Sequence, residues 1–194
     1  VANGGKGKPG ADAIVGEAVS KWSQSSPYVV SQWLLSRGYP DEALKIASGA
    51  RSTGLHASLE ESLFEIEVRS LVQNERWEEG AELLDNPPSS ILPMRIVASR
   101  AVVAKKMGRQ AESMSNWQEA KRLAQLDVTH RNSFLELYQR AKAAREFDLA
   151  ADAMIEASKN RKGILPSTQE LTVMMVYLIE NNRIDDLVIL TNQL

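Results

Sequence analysis

Apolar residues recur along this chain in pairs of short helical runs joined by a polar turn, and the pairs themselves recur. Five stretches carry the same pattern: RGYPDEALKIASGA, NERWEEGAELL, MGRQAESMSNWQEA, AREFDLAADAMIEA and NNRIDDLVILTNQL. Aligned on the first small or apolar residue after the turn, their anchors are Ala43, Gly80, Ser113, Ala150 and Leu187, spaced by 37, 33, 37 and 37 residues. Sixteen residues upstream of the anchors lie Pro27, Phe64, Val97, Phe134 and Leu171. Seven residues further on lie Leu34, Leu71, Ala104, Ala141 and Leu178, and four after the anchors lie Ala47, Leu84, Trp117, Met154 and Thr191. Each unit therefore has an apolar seam running through two helices and a turn between them. Self-similarity at this period marks a helical solenoid, in which one hairpin cannot bury its apolar face alone and stacked neighbours complete the core.

Local signals place the elements. Residues 11–23 read as a helix with Ile14, Ala18, Val19 and Trp22 on one face, a cap over the first hairpin. Ser26 is the expected N-cap before Pro27, Gly38 ends that helix, and Pro40 opens its partner. Ser58 with Glu61 is the expected capping box of a helix over residues 58–74, and Asn86-Pro87-Pro88 stops the helix after it. Residues 91–106, closed by Gly108, pair with 109–125; residues 129–145 pair with 147–160. Ser167 with Glu170 forms a second capping box, opening the fifth hairpin. No segment alternates apolar and polar residues between turn signals, so no strand is expected. Residues 1–10, VANGGKGKPG, hold four glycines and read as a flexible linker or a remnant of expression.

The chain resembles a tetratricopeptide-type array over residues 24–194. The residues that carry the resemblance are Gly38 and Pro40-Asp41-Glu42-Ala43; Trp77-Glu78-Glu79-Gly80; Gly108 and Ser113 with Trp117 and Ala120; and Phe147 with Ala150, Met154 and Ala157. The first helices lack the family's Trp-then-Leu-Gly signature, and Tyr138 and Met175 stand where a small residue is usual. The stretch KGILPSTQELTVMMVYLIENNRIDDL also resembles a pentatricopeptide unit. The resemblance implies an all-α fold: a right-handed α-α superhelix of about five helix-turn-helix repeats plus an N-terminal helix, one domain over residues 11–194. It further implies that the first helix of each hairpin lines a concave groove. Transferred to this chain, the lining residues are Tyr28, Gln32, Glu65, Arg69, Gln73, Arg95, Lys105, Asn132, Gln139 and Lys142, with Thr172 in the last hairpin.

Composition changes this picture little. Apolar residues make up 43% and charged residues 25%, ordinary for a globular chain. No run approaches the ~18 apolar residues of a membrane helix, and no secretory signal opens the sequence. Cysteine is absent, which removes disulfides and thiolate chemistry and leaves cytoplasm and periplasm equally open. The final helix is rich in Ile184, Leu187, Val188, Ile189, Leu190 and Leu194, so the array is expected to continue there or to pack on a partner or a second copy. The domain is accordingly expected to be part of a longer protein.

Charge is uneven. Residues 57–90 hold nine acids and two bases, whereas residues 94–145 hold eleven bases and four acids, in a chain whose net charge is −2. Two readings follow: neighbouring hairpins attract, or the basic block is a patch for an acidic peptide or a nucleic-acid backbone. Catalytic constellations are not found. His56 and His130 each precede a helix and read as loop residues, His-Glu-x-x-His is missing, and Gly4-Gly5-Lys6-Gly7-Lys8 lacks phosphate-loop spacing. The acidic clusters around Glu60-Glu61-Glu65 and Glu75-Glu78-Glu79-Glu82 read as solvated helix faces. Tyr28 and Gln32 occupy the positions where a chaperone-tail carboxylate clamp needs Lys and Asn. The expectation is thus a non-catalytic scaffold, without metal or cofactor, that holds a peptide or protein segment in its groove. The alternatives are a single-stranded RNA binder using Arg95, Lys105, Lys106, Arg109, Arg140, Lys142 and Arg145, or an oligomerisation or accessory domain acting through its apolar last helix.

Overall fold

The computed structural model describes residues 11–53, 56–127, 133–159 and 166–192. Among these residues the protein is all-helical, and no strand occurs. The helices are α1 (Ala11–Trp22), α2 (Pro27–Ser36), α3 (Pro40–Arg51), α4 (Ala57–Gln73), α5 (Trp77–Asp85), α6 (Pro93–Lys106), α7 (Gln110–Leu126), α8 (Ser133–Ala143), α9 (Phe147–Lys159), α10 (Thr168–Glu180) and α11 (Ile184–Asn192). They fall into two compact units, Val1–Ile91 and Leu92–Leu194. In the first, α2 packs on α3 and α4 on α5 as hairpins, α4 also contacts α2 and α3, and α1 covers α2. In the second, α6–α7, α8–α9 and α10–α11 are the hairpins, with α8 against α6 and α7 and with α9 against α10 and α11.

One backbone device builds all five hairpin turns. Each holds a single residue in the left-handed region: Gly38 (φ 83°), Glu75 (φ 59°), Gly108 (φ 75°), Arg145 (φ 61°) and Asn182 (φ 55°). Each stands five residues before an anchor read from the sequence, so the turns recur in the register of the anchors. The N–H of the following residue donates to the carbonyl five residues back: Tyr39 to Leu34, Arg76 to Leu71, Arg109 to Ala104, Glu146 to Ala141 and Arg183 to Leu178, at 2.8–3.0 Å. The left-handed residue donates to the carbonyl three back, at 3.1–3.3 Å, as from Gly38 to Leu35 and from Arg145 to Lys142. These two bonds are the Schellman closure, which satisfies carbonyls that a helix end otherwise leaves unpaired. The same turn then starts the next helix, since each anchor N–H donates to the carbonyl of the residue after the left-handed one, at 2.9–3.1 Å.

Glycine adopts this conformation freely, whereas an L side chain pays roughly 1–2 kcal/mol to do so. Arg145 is exposed, so its side chain gains little from the position. Arg145→Gly is therefore expected to raise stability by about 0.5–1 kcal/mol, less than the full strain because glycine also loosens the unfolded chain. A urea melt checks this: the midpoint rises at unchanged slope, and an unchanged midpoint contradicts the strain.

The register seen in the sequence is the register of the core. Leu34, Leu71, Ala104, Ala141 and Leu178 are all buried, as are the anchors Ala43, Gly80, Ser113 and Ala150. Small anchors let the second helix approach the first closely. The Ser113 hydroxyl donates to the Ala101 carbonyl at 2.8 Å across α6 and α7, so this polar anchor is satisfied inside the core.

Several local expectations are corrected. α4 begins at Ala57 with His56 at the N-cap, and no side chain caps it, so the Ser58–Glu61 box does not form. A start one residue earlier puts Ser58 inside the first turn, where its hydroxyl lies 3.2 Å from His56 Nδ1. Ser167 and Glu170, by contrast, form the full reciprocal box. In α1 the buried side is Val15, whereas Ile14 and Trp22 are 60% and 58% exposed. Thr191, placed in the apolar seam by its spacing, is exposed.

Candidate binding face

The transferred groove residues that are described sit on the first helix of each hairpin, and each unit places its own set. In the first unit α2 and α4 are neighbours. Tyr28 is 40% exposed at the start of α2. Arg69 on α4 reaches back across the helix pair, its Nη1 donating to Gln32 Oε1 at 3.4 Å. Gln73 is exposed at the end of α4, and Glu65 is half-buried two turns earlier. The contact between Gln32 and Arg69 puts them on one face. Arg69 is exposed there, and one long hydrogen bond leaves most of its five donors for a ligand.

The second unit uses its cations differently. Arg95 Nε on α6 lies 2.6 Å from Glu136 Oε1 on α8, and Arg140 Nη2 lies 2.9 Å from the same oxygen. Lys105 Nζ donates to Glu146 Oε1 at 2.6 Å and to the Ala144 carbonyl at 3.3 Å, which ties the end of α6 to the α8–α9 turn. Lys142 stands 5.5 Å above the ring of Tyr138 on its own helix. Gln139 is exposed, and the Glu170 carboxyl is held below its usual range chiefly by the Ser167 hydroxyl and backbone N–H. Thr172 is exposed, its hydroxyl returned to the Thr168 carbonyl at 2.8 Å. Asn132 and His130 lie outside the described residues.

These pairings change the meaning of the basic block. Arg95, Lys105 and Arg140 meet Glu136 or Glu146; Arg109 lies 3.6 Å from Glu112; Lys121 lies 2.7 Å from Asp152. Four of the seven cations of the basic block, Arg95, Lys105, Arg109 and Arg140, thus lie beside carboxylates.

Two polar clusters escaped the sequence. The first centres on Arg183, just before α11. Its Nη2 lies 2.6 Å from Asp152, its Nε donates to Asp186 at 2.7 Å, and its Nη1 lies 3.3 Å from Asp148, which also accepts from the Tyr177 hydroxyl at 3.0 Å. Burial pushes the Asp152 carboxyl up, but hydrogen bonds from Lys121 and Arg183 outweigh it and the net shift is downward. Burial likewise lowers the Arg183 pKa, and its bonds to Asp152 and Asp186 more than reverse this. The second is Arg51 with Glu67, 2.9 Å apart between α3 and α4, with the guanidinium 4.9 Å over the ring of Phe64. Burial raises the Glu67 carboxyl despite the charge and hydrogen bond of Arg51. Spacing carries a faint signal for the first cluster, because Asp148 and Asp152 are one helical turn apart on α9.

Arg183 and Arg51 bind carboxylates within the fold, and exposed His56 has its Nδ1 3.2 Å from the Ser58 hydroxyl. Among the described residues no three metal-ligating side chains converge, and no helix is long and apolar enough to cross a membrane. No protein-family model, curated protein or solved structure matches the chain.

Proposed function

We propose that this chain is a tetratricopeptide-like repeat module, a right-handed α-α superhelix without catalytic activity, which holds an extended or helical segment of a partner protein on the face of its first helices. The observation that carries the reading is the recurrence of one turn at the anchor register. Within each unit the first helices carry exposed side chains with polar groups, Tyr28, Arg69 and Gln73 in the first unit and Gln139 in the second, which suits main-chain and side-chain hydrogen bonding to a peptide.

Arg69 is the sharper probe, because Lys105 is already held by Glu146. Arg69→Glu is expected to weaken capture of the partner at least about ten-fold without lowering the thermal midpoint. Lys105→Glu should cost stability as well as binding, since it places two carboxylates together. Partner capture unchanged in Arg69→Glu counts against the groove.

A second reading rests on a different observation. Val173, Val176 and Ile179 of α10 and Ile184, Val188 and Ile189 of α11 are all 37–56% exposed. Aliphatic exposure on this scale marks a contact surface, and it supports self-association or docking within a larger protein. Light scattering separates the readings: a dimer that survives high salt favours the apolar end, and a monomer throughout leaves the first-helix face.

A further inference from the structure

We propose that the edge formed by the α6–α7 and α8–α9 turns of the second unit docks an acidic segment of a partner protein. Lys105 defines the edge: its Nζ reaches Glu146 Oε1 at 2.6 Å and the Ala144 carbonyl at 3.3 Å, so the end of α6 and the α8–α9 turn stand side by side. The residues next to these contacts, Lys106 and Arg145, are exposed. Among the described residues neither of their side chains has a carboxylate or hydrogen-bond partner. Arg109, exposed in the α6–α7 turn, adds a further cation. Its counterparts in other turns, Arg76 and Arg183, bind Glu79 and Asp186 three residues on at 2.6–2.7 Å. Arg109 instead stands 3.6 Å from Glu112, too far for a hydrogen bond, and keeps its donors for a ligand.

The backbone supports the same reading. Arg145 is held at φ 61°, and a strained residue whose side chain gains nothing inside the fold points to a role outside it. Glu75 takes the equivalent place in the first unit with the opposite charge. The chemistry of the edge says what it binds: exposed cations attract anions at long range and form charge-assisted hydrogen bonds on contact. A carboxylate-bearing segment fits better than a nucleic-acid backbone. Glu112 and Glu146 stand in the same edge and interrupt it, and the chain has a net charge of −2, so a long polyanion is opposed. A short acidic segment needs only the cations at hand. Stacked helices lie about 10 Å apart, so carboxylates about three residues apart on an extended segment reach cations of the two turns. Lys106, Arg109 and Arg145 are not among the residues assigned to the first-helix face, and the site does not depend on that assignment.

The probe is a peptide of about 12 residues carrying an uncharged dye, with Glu at every third position to match the edge; its twin has Gln at those positions. Fluorescence anisotropy on the full chain at about 50 mM salt is expected to show the Glu peptide binding at least about ten-fold tighter than its twin, a preference that shrinks by about 200 mM salt. Arg145→Gly should weaken the Glu peptide about two- to five-fold, as for one exposed charge pair, while its urea midpoint stays at or above wild type. Lys106→Gln, Arg109→Gln and Arg145→Gly together should remove the preference. Arg37→Gln with Lys45→Gln, exposed cations of the first unit, should leave it unchanged. Equal binding of the two peptides, or wild-type binding in the triple variant, overturns the site. Tighter binding of an oligouridine of about 12 nucleotides than of the Glu peptide overturns the protein segment in favour of a nucleic-acid backbone. A low-salt dimer in light scattering that the triple variant loses overturns the separate partner in favour of a second copy of this chain.

Discussion

Leu34→Ala is expected to lower the stability of the first unit by about 3 kcal/mol. Leu34 is 0% exposed and belongs to the cluster formed with Val30, Leu35, Ala43, Ala47, Leu63 and Ile66. Its carbonyl also accepts the bond that closes the α2–α3 turn, so the backbone at this position is pinned and collapses poorly into the space left behind. The cost is the lost transfer free energy of the side chain plus that of the cavity. The same register position is alanine in α6 and α8, where Ala104 and Ala141 are buried. That does not make alanine neutral at Leu34. The second-unit cluster contains Trp117 and Tyr138, both buried, and large residues there fill what a leucine fills in α2. The reciprocal change, Ala141→Leu, is accordingly expected to overpack that cluster at a cost of about 1–3 kcal/mol. Denaturant melts read both. A loss below about 1 kcal/mol in Leu34→Ala would mean that the position is not packed as described.

Arg51→Met carries the other large effect, about 3 kcal/mol at neutral pH, because it leaves the Glu67 carboxylate buried and unpaired. The Arg51 and Glu67 side chains are 19% and 6% exposed, so solvent compensates little for the lost partner. Arg51→Lys is not a rescue, since an ammonium does not reproduce the planar contact with Phe64. The pH dependence follows from the direction of the Glu67 shift. Its folded-state pKa stands above the usual carboxylate value with Arg51 present, and removing Arg51 raises it further. The folded state then binds a proton that the unfolded state releases, so stability falls as pH rises through that window and returns as pH falls. The variant should therefore regain stability on acidification toward pH 5, and the double variant Arg51→Met with Glu67→Met should regain most of it at neutral pH. A loss independent of pH would contradict a buried charge as its cause.

Much of the fold was legible because the period of the sequence is the period of its turns. Gly38 and Gly108 announce left-handed turns outright, and the anchors mark the others indirectly. Glu75 and Arg145 carry no such signal, since neither residue type favours that backbone; the Schellman bonds around them hold it there. The Ser58 box failed because His56 ends the extended approach two residues earlier, and capping depends on that φ/ψ step rather than on residue type alone. Spacing gave the α1 helix and placed Val19 against the core, but it chose Ile14 over its equally apolar neighbour Val15, and only the position of α2 decides between them. On the candidate face, residue type and register located Gln32 and Arg69 together. They could not reveal that Lys105 and Arg95 are consumed by Glu146 and Glu136, each 41 residues away. A linear charge count sees a basic block, whereas the folded chain sees ion pairs between successive hairpins.

The central claim is that the first helices present the partner-binding face, and site-specific photocrosslinking tests it most directly. A benzoylphenylalanine placed at exposed Gln73 of α4 or Gln139 of α8 is predicted to give covalent adducts with the partner. The same group at exposed Glu82 of α5 or Gln118 of α7, on the second helices, is predicted to give none. Adducts from the second-helix positions alone, with Gln73 and Gln139 silent, would contradict the account.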